Sequence, residues 1–152
     1  MKVALLYGTE TGNSEMLCED IRDDLGEDYD CTLDNLMDID PAELDKSRFH
    51  FFVTSTYGNG DLPTQALAFE DALVQNKPDL SGLNFAMFGL GDQVFAETYN
   101  NGSKRLSDLL VAAGATMIGE RGLHDASSLE LPEDIALPWL QQILPKITAQ
   151  AV

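Results

Sequence analysis

The sequence is poor in positive charge. Nine Lys and Arg stand against 26 Asp and Glu in 152 residues, for a formal net charge of −17 and a pI near 4.1. Such a surface repels phosphate backbones and anionic headgroups, so no nucleic acid and no membrane is expected among the partners. Long apolar runs are absent too: none approaches the roughly 20 residues of a transmembrane helix. The N-terminal MKVALLYGTETG has too short an apolar stretch for a signal peptide and no small-residue cleavage site. These absences imply a cytoplasmic protein. Cysteine is scarce: Cys18 and Cys31 lie thirteen residues apart with no C-x-x-C, which suits small buried apolar groups better than a disulfide. The two histidines, His50 and His124, have no metal-ligand spacing. His50 lies inside an apolar run and reads as a structural strand residue. No metal site and no catalytic triad or acid–base pair stands out.

What is present is ordinary globular material, 44% hydrophobic and 23% charged. A chain of this size buries roughly 70% of its unfolded surface without staples and reads as one domain, 1–152. Apolar runs with strand character alternate with stretches of helical period. Strands are predicted at Lys2 to Tyr7, Asp30 to Leu36, Arg48 to Ser55, Leu83 to Gly89 and Ala115 to Glu120. Helices are predicted at Asn13 to about Gly26, Thr64 to Gln75, Asn100 to Ala113 with Gly114 as its C-cap, and Pro132 to Ile147. Pro138 and Pro145 are expected to disrupt the last. Continuous apolar strands are buried on both faces, and strand–helix alternation gives a parallel sheet with right-handed crossovers. The fold class is therefore α/β, a three-layer sandwich around five parallel strands.

In open sheets of this kind ligands bind beyond the carboxyl ends of the strands. Three such segments are Gly-rich and polar. After the first strand comes Gly8-Thr9-Glu10-Thr11-Gly12-Asn13-Ser14, running straight into a helix start. Hydroxyls and free N–H groups there suit an anion, but no Lys or Arg lies within it and no Gly-Lys-Ser/Thr follows, so it is not a Walker loop. N-capping by Thr11 or Asn13 explains the same residues. After the third strand comes Ser55-Thr56-Tyr57-Gly58-Asn59-Gly60-Asp61-Leu62-Pro63, and after the fourth Gly89-Leu90-Gly91-Asp92, then Phe95 and Tyr99. Each alone could be a turn. Together, a phosphate cradle and two aromatic-bearing loops are the parts that grip a phosphorylated, flat, aromatic cofactor.

These three ordered motifs resemble the flavodoxin family, above all short-chain, MioC-like flavodoxins and the FMN domains of diflavin reductases. The resemblance runs from Lys2 to about Leu144. It implies FMN as cofactor and the strand order 2-1-3-4-5. It also implies roles for residues. Thr9, Glu10, Thr11, Gly12, Asn13 and Ser14 would wrap the FMN phosphate. Tyr57, between Ser55-Thr56 and Gly58, would stack on the ring, and the Gly58 peptide would turn toward its N5 side. Asn59, Gly60 and Asp61 complete that loop. Gly89, Leu90, Gly91 and Asp92 up to Phe95 would meet the pyrimidine edge. Phe95 stands where the family usually has Tyr, and Thr98 where Phe is common, with Tyr99 beside it. Asp125 falls in a late loop near the ring. Strand five leaves little room for the insertion of long-chain flavodoxins.

The function so implied is a low-potential electron carrier, not an enzyme. It would accept electrons from a basic flavoprotein reductase and pass them to a redox enzyme, as a monomer. Between Glu10 and Asp45 there are fourteen acids and one base, Arg22, which is either a solvated face or the docking surface. An alternative is an FMN-dependent quinone or nitro-compound reductase acting directly on NAD(P)H. A receiver-like signalling module ranks below both, because Ser55 and Thr56 stand where its strand-three Asp is needed.

Overall fold

The computed structural model describes residues 1–8, 12–55, 64–91, 101–125 and 128–150, with the backbone alone for 64, 101 and 148–150. The strands are β1 (Lys2–Gly8), β2 (Asp30–Asn35), β3 (Phe49–Ser55), β4 (Asn84–Gly91), β5 (Thr116–Met117) and β6 (Gly122–Asp125). The helices are α1 (Asn13–Leu25), α2 (Thr64–Asn76), α3 (Asn101–Ala112) and α4 (Pro132–Gln150). All strand pairs are parallel, in the order β2-β1-β3-β4-β5, and β6 pairs with β4. The implied α/β sandwich and order 2-1-3-4-5 are observed. Among the described residues, no helix is long and apolar enough to cross a membrane.

The run FHFFVTS shows why the sheet has two covered faces. Phe49, Phe51 and Val53 point to one layer, where they meet Leu17 and Ile21 of α1 and Trp139 and Ile143 of α4. Phe52 points the other way, among Phe69 and Leu73 of α2 and Leu106 and Leu110 of α3. Trp139 ties the first layer together, meeting Phe51 and Phe88 edge-on at ring centroid distances of 6.0 and 5.3 Å.

Three expectations need correction. The fifth strand is not continuous over Ala115 to Glu120. Phe85 pairs with Met117 and Phe88 with Gly122, so three steps on β4 face five on the other strand. Gly119, at φ 73°, takes up the surplus. The Glu120 carbonyl, left out of the ladder, accepts from the Trp139 indole at 3.0 Å. Second, β2 ends at Asn35 rather than Leu36, because the Asn35 side chain accepts from the Met37 N–H at 2.9 Å and opens a 3-10 turn over Leu36–Asp38. A second such turn follows at Pro41–Glu43. Third, α4 runs unbroken through Pro138 and Pro145. A helix-interior proline costs about 3 kcal/mol. Burial of Ala136, Trp139, Leu140, Ile143 and Ile147 along one face outweighs it, at roughly 1.5–3 kcal/mol for each large side chain.

Gly122 marks the tightest point of this edge. A Cβ there would lie 2.4 Å from Phe88 Cδ2 and 2.9 Å from Trp139 Cδ1. Gly122→Ala should therefore destabilise by about 1–3 kcal/mol, the usual cost of overpacking. Urea unfolding reads this directly; an unchanged midpoint would contradict the packing.

Candidate functional site

The carboxyl ends of β1, β3, β4 and β6 define one edge of the sheet. At that edge Gly8 pairs with Thr54, Ser55 with Leu90, and Gly91 with Asp125. The three segments singled out in the sequence thus leave the sheet side by side. Thr9, Glu10, Thr11, Thr56, Tyr57, Gly58, Asn59, Gly60, Asp61, Asp92, Phe95, Thr98 and Tyr99 lie outside the described residues. Gly12, Asn13, Ser14, Ser55, Gly89, Leu90, Gly91 and Asp125 are described, and all stand at this edge.

The start of α1 carries the most chemistry. Neither Thr11 nor Asn13 is its described cap. Gly12 holds the cap position at φ 89°, without a side-chain capping bond, and Asn13 is already helical. Only glycine enters this left-handed conformation without strain. The first intrahelical bond runs from the Met16 N–H to the Gly12 carbonyl at 3.1 Å. The N–H groups of Asn13, Ser14 and Glu15 therefore stay outside the helix ladder, at the positive end of its dipole. Ser14 is fully buried, yet its hydroxyl has no hydrogen-bond partner. A buried unpartnered hydroxyl costs about 1–3 kcal/mol, so its presence asks for a ligand. A phosphate oxygen meets that demand and the open N–H groups together.

Backbone clearance is built in beside it. A Cβ on Gly8 would approach Ala66 Cβ to 3.0 Å and Leu36 Cδ1 to 3.3 Å, so the end of β1 needs glycine to pass under α2. Tyr7, one residue earlier, has its phenol pKa raised, by burial first and then by Glu15. Gly89 and Leu90 are buried in β4, while Ser55 and Gly91 are half-buried at the mouth. The Asp125 carbonyl accepts from the Ser128 N–H at 3.0 Å and from its hydroxyl at 2.7 Å, which turns the chain away after β6.

Sequence reasoning missed two ties between elements on this half of the sheet. Glu70 of α2, buried, pairs with Arg105 of α3, and Arg121 donates to the buried Ser103 hydroxyl at 2.9 Å. Both bonds join elements that flank the loops. For the first, the sequence signal was a charge on each of two helix patterns, with nothing to say that they face one another; the second, from Arg121 to an uncharged serine, left none.

A doubly wound parallel sheet whose first crossover opens on a glycine-capped, hydroxyl-bearing helix start suits the class of proteins that hold a phosphate-bearing cofactor at the sheet's carboxyl edge. Comparison with known proteins gives the particular family. The Flavodoxin family profile matches residues 5–139. Protein MioC of Escherichia coli (strain K12) is 30% identical over 138 residues, covering 91% of this chain and 92% of MioC. Pyruvate dehydrogenase (NADP+) of Cryptosporidium parvum is 36% identical over 155 residues, 95% of this chain but 8% of that protein. The chain also spans 22% of the NADPH-dependent diflavin oxidoreductase 1 of Aspergillus fumigatus, at 33% identity. A cysteine-to-serine mutant of Flavodoxin from Pseudomonas aeruginosa superposes with a TM-score of 0.81 at 28% identity, covering 93% of this chain and 95% of that one. The chain belongs to the flavodoxin family. FMN is that family's cofactor and electron transport its role, and the Ser14 end of α1 fits the phosphate of such a group.

Proposed function

We propose that this chain is one FMN-binding domain over residues 1–152 that carries low-potential electrons between a basic flavoprotein reductase and an acceptor enzyme. The carrying observation is the buried, unpartnered Ser14 hydroxyl at the open N-terminus of α1. In this reading Thr9, Glu10, Thr11, Gly12, Asn13 and Ser14 hold the phosphate through hydroxyls and N–H dipoles, with no cation. Tyr57 and Phe95, with Tyr99 nearby, give the ring its aromatic walls. The backbones of Ser55 to Asp61 and of Gly89 to Asp92 meet its polar edges. Bound FMN supplies the one- and two-electron redox chemistry; the protein orients the ring and sets the charge around it.

That charge is one-sided. A carboxylate about 10 Å away through water-like dielectric disfavours an added negative charge by about 0.4 kcal/mol, roughly 20 mV. The more negative one-electron couple is therefore expected below that of free FMN, and spectroelectrochemistry would show it. A couple at or above free FMN would count against the account.

Docking by charge has support in α1. Burial and then the neighbouring Glu133, Asp23 and Glu19 push the Asp20 pKa up, so like charges crowd this face. Exposed Met16, Met37, Leu129 and Leu131 sit around the same carboxyl edge. Acids around exposed apolar side chains suit a small transient encounter with a basic partner. Reduction by such a reductase should slow steeply as ionic strength rises from 20 to 300 mM, on the order of tenfold or more. A flat salt profile would remove the docking role.

The direct test is the visible spectrum of the purified protein, with the chromophore identified by mass. Protein carrying FMN that is reduced through a reductase, and not by NAD(P)H alone, supports the carrier. Rapid direct turnover with NAD(P)H and a quinone would replace it with the reductase reading. Colourless protein that fails to take up FMN would overturn both.

A further inference from the structure

The phosphate end of the site holds a conflict of charge. Glu15 is the third residue after the Gly12 cap of α1. That is the spacing at which a carboxylate reaches back and caps a helix start. The positive end of the helix dipole draws it the same way. A carboxylate placed there would cover the N–H groups and the Ser14 hydroxyl that suit a phosphate, and would repel the phosphate charge. No Lys or Arg lies within residues 8–15 to offset it.

The carboxylate is turned elsewhere. Among the described residues Glu15 forms no ion pair, and its side chain makes no hydrogen bond to the helix start. Its partner is the Tyr7 hydroxyl, which donates to it. Burial first, then the Glu15 charge and this bond, raise the phenol above its ordinary value, so the hydroxyl keeps its proton and stays a donor. Tyr7 makes a fixed post. It is held in the sheet between Asn35 of β2 and Val53 of β3. Its half-buried side chain packs on the layer that contains Leu17 and Ile21 of α1. The next residue, Gly8, ends β1 where the phosphate segment begins.

We propose that Tyr7 is a positioning residue: its hydroxyl tethers Glu15 away from the start of α1 and so keeps that start open to the FMN phosphate. This rests on the FMN reading of the carboxyl edge. Tyr7 itself need not touch the cofactor. Without the tether Glu15 swings back over the helix start, and the phosphate has to displace it. The loss then falls on the phosphate and spares the ring.

Fluorescence titration of four FMN-free proteins with FMN and with riboflavin tests this: wild type, Tyr7→Phe, Glu15→Gln and the double variant. Phenylalanine keeps the packed ring and removes only the hydroxyl. Tyr7→Phe is expected to weaken FMN binding at least tenfold and riboflavin binding less than twofold. Adding Glu15→Gln should restore FMN binding to within threefold of wild type, because an amide does not repel phosphate. A merely structural Tyr7 would lose both flavins together, with no rescue by Glu15→Gln. Undiminished FMN binding by Tyr7→Phe, equal loss of the two flavins, or a double variant as weak as Tyr7→Phe would each overturn the tether and leave the FMN reading standing. A wild type that takes up neither flavin would overturn both.

Discussion

Replacing Ser14 with alanine should weaken FMN binding about thirtyfold and leave riboflavin binding nearly unchanged. The first figure follows from one hydrogen bond to a charged group, about 1.5–3 kcal/mol, and the tenfold change carried by each 1.4 kcal/mol. The second follows because riboflavin has no phosphate. The same substitution should stabilise the FMN-free protein by about 1 kcal/mol, since it removes a buried hydroxyl that has no partner. Opposite signs for one methyl-sized change are hard to obtain any other way. A purely structural Ser14 would lose FMN and riboflavin equally and destabilise both forms. Fluorescence titration with each flavin, alongside urea unfolding of the FMN-free protein, separates the two accounts.

Acid should remove about 2–3 kcal/mol of stability through His50 alone between pH 7 and 4.5. Burial lowers its folded pKa to about 4, against 6.5 for the free side chain. The Arg48 backbone and Asp45 oppose the shift and the Arg48 charge adds to it. The unfolded chain therefore takes up a proton that the folded chain refuses. The His50 contribution is whole above pH 6.5 and is lost as pH falls toward 4. Each pK unit is worth about 1.4 kcal/mol. The carboxylates of Asp34, Asp38, Asp40, Glu43 and Asp45 line the same side of the sheet as His50, so the readout is a difference between two proteins that share them. Wild type and His50→Leu are unfolded in urea across the range, and the wild type should lose about 2–3 kcal/mol more than the variant between pH 7 and 4.5. Parallel curves would mean that His50 protonates freely in the fold.

The strand and helix alternation was legible because each element carries its own period. FHFFVTS and NFAMFGLG are apolar throughout, and Leu17, Ile21 and Leu25 mark a single helix face. The carboxyl-edge site was legible in position, since the glycines and hydroxyls follow strand ends directly. What the sequence hid was non-local. Nothing near Gly119 announces that two surplus residues will be absorbed there, because the count depends on pairing with β4. Pro138 and Pro145 looked like breaks because proline is judged locally, while the face of α4 that Trp139 anchors is judged by the whole core. The helix start follows the same logic: Thr11 and Asn13 are good caps in isolation, but Gly12 takes the cap position in a left-handed turn without a side-chain capping bond. His50 is a strand residue as its apolar run indicates, but its near-complete burial, and so its lowered pKa, depends on pairing with β1 and β4 that no local pattern shows.

The edge strand β2 has a further consequence. Among the described residues no strand pairs with its outer side, and an open strand edge invites a second chain to add itself. Asp30 opens this strand and Asp34 lies near its end, and its residues are only partly buried. A second copy aligned along that edge would set its own Asp30 and Asp34 against these, like charge opposite like charge, within a chain already at −17. The far edge of the sheet is split between β5 and β6, two and four residues long, and the surplus at Gly119 interrupts the row that a further strand would need. Concentrated solutions are thereby protected from edge-to-edge growth by the same excess of acid that sets the electrostatics of the carboxyl edge.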